Sequence, residues 1–104
     1  MLLDDDAVTF LLDFLSTPSV SPLEGGDPAD TRRAQTMFAD WTRRQGFAVS
    51  TLVADLGTLQ ADATTPLHLR EQAGDQSWLD EQPTVVATIG DLDAPQHLVI
   101  DAHV

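Results

Sequence analysis

The chain contains no cysteine and no lysine. Without thiols it forms no disulfide and offers no thiolate to a metal, and its redox compartment is left open. Every cation is an arginine, five against 17 acids, for a net charge of −12. A surface with that balance repels nucleic acid and anionic membrane. Also missing is any apolar run approaching the roughly 20 residues that a membrane-spanning helix requires. The opening MLLDDDAVTFLLDFL carries Asp4, Asp5 and Asp6 where a secretory signal is basic. A cytoplasmic location is therefore expected. Asp outnumbers Glu fourteen to three. Because the acids are scattered rather than blocked, they read as a solubility adaptation, suited to a salty interior, rather than as a cation-collecting surface.

What is present is enough for one globular domain. The 104 residues are 42% hydrophobic, with six aromatics, and a chain of this size buries roughly two-thirds of its unfolded surface. Asp4 or Asp5 is placed to cap a first helix, with the neighbouring acids complementing its dipole. Leu3, Ala7, Phe10, Leu11, Phe14 and Leu15 make its apolar face. Pro18 ends it near Ser16 by disfavouring the α conformation at Thr17. TPSVSPLEGGDP, with three prolines and two glycines, is a loop. Asp27 then caps a second helix with Pro28 in its first position. Its buried stripe is Ala34, Met37, Phe38 and Trp41, with Arg32, Arg33, Arg43 and Arg44 mostly off it. Gly46 stops it where a left-handed residue is wanted.

Alternation at Phe47, Val49, Thr51 and Val53 predicts a strand. Residues 55–82 read as a weak hairpin or an insertion, built on PLHLRE and an acidic turn around AGDQSWLDEQ. PTVVATIGD gives a strand over Thr84 to Ile89 ended by Gly90, and DLDAPQ a turn. HLVIDAHV is expected as a final strand, apolar on both faces and suited to a central position. The fold class that follows is α/β, with two N-terminal helices packed on a small sheet.

Five features could carry chemistry. His103 with Asp101 falls at a spacing of two, the same side of a strand, and a neutral imidazole is a good zinc ligand. Zinc nevertheless needs three or four protein ligands, and a lone histidine at a strand end is more often an edge residue with a hydrogen bond. His68 and His97 are isolated and read as solvated. Ser16, Ser19 and Ser21 have no histidine nearby and no nucleophile elbow, which leaves loop and cap duty. LEGGDP lacks the Gly-Lys-Ser/Thr ending of a phosphate loop. The four helix arginines could meet a substrate carboxylate but read first as a solvated face.

Four stretches, in order, resemble one family. FLLDFLSTPSVSP, RRAQTMFADWTRRQGFAVST, PTVVATIGD and HLVIDAHV are similar to the N-terminal part of the dinuclear zinc exopeptidases and deacylases. That family includes aminoacylase, acetylornithine deacetylase, succinyl-diaminopimelate desuccinylase and bacterial carboxypeptidase G. Residues 55–82 match poorly. The resemblance implies that residues 1–104 form the first part of the catalytic domain, reaching the first metal-ligand motif, with His103 as a zinc ligand. The aspartate of the family's His-x-Asp motif, the bridging aspartate and the glutamate pair have no counterpart among these residues, so no catalytic residue is assigned.

The resemblance implies two zinc ions in the intact protein, with cobalt an acceptable substitute. They would activate a water, and a glutamate would take its proton. The substrate class is a peptide or an N-acyl amino acid, and a homodimer would form only through the family's inserted domain. The 104-residue chain alone would hold no metal tightly and would be inactive. Two other readings stay open: a small acidic non-catalytic binding or interaction module, and a structural subunit whose missing ligands come from a separate chain.

Overall fold

The computed structural model describes residues 4–53, 55–66 and 82–102. Helix α1 spans Asp5–Ser16. Its cap is Asp4, whose carboxylate accepts from the Ala7 backbone N–H at 2.7 Å, satisfying a first-turn donor that has no partner within the helix. The helix ends as Pro18 requires: Thr17 is extended, with φ −82 and ψ 122. The Thr17 hydroxyl lies 2.9 Å from the Asp13 carbonyl and 3.2 Å from the Met37 sulfur. The end of α1 is thereby placed against the second helix.

The connecting loop contains a short 3-10 turn at Pro22–Glu24. At Gly26 the chain folds so tightly that an added Cβ would sit 1.8 Å from the Val20 carbonyl oxygen, so glycine is required there.

Helix α2 spans Pro28–Arg44, and the Asp27 carboxylate accepts from the Ala29 N–H at 2.9 Å. Its other end is a Schellman motif. Phe47 N–H donates to the Thr42 carbonyl at 3.1 Å, and Gly46 N–H donates to the Arg43 carbonyl at 3.0 Å. Gly46 takes φ +89, the conformation that only glycine enters freely.

Strand β1 (Ala48–Val53) and strand β2 (Pro83–Thr88) pair antiparallel, from Ala48↔Thr88 to Val53↔Pro83. Thr51 and Val85 are directly paired and, with Pro83, share a cleft with Ala39 and Arg43 of α2. The inward face is thus the odd-numbered one that the alternation marked. Helix α2 carries the main contact with the sheet, and α1 stacks chiefly on α2.

This arrangement is the mixed helix-and-sheet fold expected, with a small sheet of two antiparallel strands, and α2 rather than α1 makes the main contact with it. It also explains why Ala34, Ala39 and Thr42 are the buried residues of α2. A helix with neighbours on two sides buries more than one stripe, and its small residues let the backbones approach. Met37, Phe38 and Trp41, on the side of α1, are only half-buried. Thr42 keeps its hydroxyl satisfied within the helix, 2.8 Å from the Phe38 carbonyl.

Residues 55–66 hold a helix where a hairpin or insertion was expected. Helix α3, Leu56–Ala61, is capped by Asp55, which accepts from the Thr58 hydroxyl at 2.6 Å and from Gly57 N–H at 3.1 Å. Most of PLHLRE and AGDQSWLDEQ lies outside the described residues. The Asp91–Gln96 turn forms as read, with Asp93 N–H donating to the Asp91 carboxylate at 2.9 Å.

The largest departure is HLVIDAHV. Residues 97–102 form no strand, and among the described residues β1 and β2 pair only with each other. Leu98, Val99 and Ile100 are 86%, 85% and 82% exposed. An apolar run becomes a strand only when a neighbouring backbone takes its N–H and C=O groups, and none of the described residues does so here. Among the described residues only Ala34, Ala39 and Thr42 are buried, and no large side chain is fully enclosed. None of the described helices is long and apolar enough to cross a membrane.

Gly46→Ala leaves the new methyl in open space but holds a left-handed backbone, at a cost of about 1–2 kcal/mol. The expected result is a lower urea midpoint with an unchanged m-value. Asp55 gives a second test. Its carboxyl is held below the ordinary value of 3.8, chiefly by the Thr58 hydroxyl, then by the Thr58 and Gly57 N–H groups. A depressed folded-state pKa means the cap is in place above 3.8 and is lost only as the pH falls through the folded value. An NMR titration of the Asp55 carboxyl should therefore show a midpoint below 3.8.

Candidate functional site

The residues that could act converge on two places. The first is the segment after the Asp91–Gln96 turn. His97 and Asp101 are both exposed there. Their expected strand is not formed, so the period-two argument that put Asp101 beside His103 has no pleat to act on. His103 itself, the one metal ligand expected, lies outside the described residues, as does His68. Among the described residues no group of three or more His, Cys, Asp or Glu side chains could hold a metal ion. The described side chains therefore do not make a zinc site.

The second place is the groove between α1 and α2, of about 570 Å³. Its floor is aromatic. Phe10 stacks on Trp41 with ring centroids 4.5 Å apart and planes 13° from parallel. Beside the groove, outside its lining, Phe14 extends the aromatic contact, meeting Phe38 at 6.4 Å and Phe10 at 5.3 Å. Asp6, Asp13, Asp40 and Arg44 stand at its edges. The Trp41 indole N–H is out of contact with solvent and finds no acceptor among the described residues. This groove was not anticipated. Its only sequence signal is that Phe10, Phe14, Phe38 and Trp41 fall on the facing sides of two adjacent helices, which reads equally as ordinary packing.

The other sequence candidates have structural duties. Ser16 donates to the Asp13 carbonyl at 2.8 Å, closing the end of α1. The backbone carbonyl of Ser21 accepts from Glu24 and Gly26, at 2.8 Å and 3.0 Å. In LEGGDP, the carboxylate of Asp27 occupies the N-terminus of α2, the position that a phosphate would take in an anion site.

Two of the arginines are already matched. Arg33 pairs with Asp30 at 2.7 Å and Arg43 with Asp40 at 3.0 Å, each one turn along α2. Such exposed pairs contribute about 0–1 kcal/mol. They still lower the attraction of either guanidinium for a substrate carboxylate.

No protein-family model matches the chain, and neither does any curated protein or solved structure.

The end of the sequence holds two imidazoles, His97 and His103, and the Asp101 carboxylate, but no group of three ligating side chains is assembled among the described residues, so the 104-residue chain should show no saturable zinc site in titration calorimetry at neutral pH. A stoichiometric, tight isotherm would mean that ligands from 67–81 or from another copy complete a site.

Proposed function

We propose that this chain supplies the N-terminal portion of the catalytic domain of a dinuclear zinc amidohydrolase, a cytoplasmic peptidase or N-acyl amino acid deacylase, with His103 as one metal ligand. The observation that carries the reading is the exposed run Leu98–Ile100, lying directly before Asp101 and His103. Three consecutive aliphatic residues at more than four-fifths exposure are poor solvent-facing chain and good interior strand. The order of α1, α2, β1, β2 and the apolar run follows the order of the resembling stretches, with α3 in the poorly matching part between the strands.

In the intact protein this portion would hold one imidazole at the tip of a strand covered on both faces. Zinc would supply water activation there. The other ligands and the general base would come from residues not contained in these 104. The substrate would be a peptide or an N-acyl amino acid.

The alternative reading is a small acidic non-catalytic interaction module. The apolar stripe left open along α1 favours it.

The reading is tested by expressing the gene's full reading frame around these codons, with metal analysis and an N-acetyl amino acid assay. Two zinc ions per chain and hydrolysis are expected. His103→Ala should lose metal and lower turnover by more than about 100-fold, beyond what even an outer-shell change costs. The 104-residue chain alone should give none. A metal-free product, or a His103→Ala variant with full zinc and full rate, overturns the zinc reading.

A further inference from the structure

We propose that the outward face of α1 is a docking surface for a basic amphipathic helix of a partner polypeptide. Val8, Leu11, Leu12 and Leu15 follow the spacing i, i+3, i+4, i+7, a single stripe about two turns long. They are 40%, 43%, 63% and 72% exposed. The stripe is distinct from the side that α1 turns to α2, which carries Phe10 and Phe14. A lone exposed leucine is ordinary. Four aliphatic side chains in register on one helix form the surface that a second helix covers.

Charge decides the occupant. Asp4 and Asp5 stand at the N-terminal end of the stripe, Asp6 and Asp13 lie toward the groove shared with α2, and the helix carries no basic residue. None of the four is ion-paired with another described residue. A second copy packed parallel would bring two Asp4–Asp6 clusters together. Packed antiparallel, it would set each cluster against a helix end that has no cation. An anionic membrane surface is repelled for the same reason. A helix with leucines on one face and Lys or Arg flanking them matches both the stripe and its charge. The proposal uses neither His103 nor zinc, so it stands or falls separately from the zinc reading.

The test uses a fluorescein-labelled helical peptide with a leucine face flanked by lysines, and its counterpart with glutamates in place of the lysines. Each is titrated with the chain at physiological salt and followed by anisotropy. The lysine peptide should saturate and the glutamate peptide should not. Leu12→Asp and Leu15→Asp should each weaken binding at least about tenfold, as loss of a central apolar anchor does. The direction is decisive, because both changes make the chain more negative and unspecific attraction to a cationic peptide would tighten. Leu12→Gln, checked by far-UV circular dichroism, serves if an Asp variant unfolds. Three outcomes overturn the proposal: Leu12 and Leu15 variants that bind as well as the parent, equal binding of the glutamate peptide, or a stripe occupied instead by self-association in sedimentation or by zwitterionic vesicles.

Discussion

The stack of Phe10 on Trp41 is the contact on which the helical layer depends. Rings 4.5 Å apart and 13° from parallel contribute about 0.5–1.5 kcal/mol beyond the area they cover. With Phe14 and Phe38 they form the greater part of what ties α1 to α2. On its other side α2 meets the sheet through small residues, Ala39 among them. The second helix is therefore a shared wall between two thin contacts. Because no large side chain is fully enclosed among the described residues, neither contact resembles the packed interior of an independent domain. Local openings of α1 away from α2 should be among the least costly motions of the chain.

Local rules carried most of the legible fold. Asp4, the pair Asp27 and Pro28, and Gly46 each act on the few residues beside them, so their positions give away where α1 and α2 start and where α2 stops. Pro18 acts the same way on Thr17. Strands β1 and β2 were readable because Val49, Thr51, Val85 and Ala87 really do share one face. Helix α3 was not readable from periodicity, since six residues span less than two turns. Its signal was instead the reach from Asp55 to Thr58.

Non-local matters were hidden. Seven of the twelve residues of α1 are apolar, and periodicity alone could not say which arc would face α2. Leu11 and Leu15 were assigned inward, but the aromatic rings took that side and left both leucines in water. Likewise the string Leu98–Ile100 spells a strand without naming the backbone that would pair with it. The metal ligand expected at His103 and most of the weak hairpin or insertion expected over 55–82 lie outside the described residues.

Each of the three described α-helices begins at an aspartate, Asp4, Asp27 and Asp55, and each of these carboxylates accepts a backbone N–H. Only an acceptor oxygen is needed for that task, and an asparagine amide offers one nearly as well. Charge and initiation are therefore separable at these three sites. An isosteric amide at all three would remove a quarter of the net charge of −12 while leaving each helix its starting bond. The same exchange at Asp5 or Asp6 would break no capping bond but would remove their support of the α1 dipole. The acidity of the chain thus divides into carboxylates that start helices as acceptors and carboxylates that act by charge.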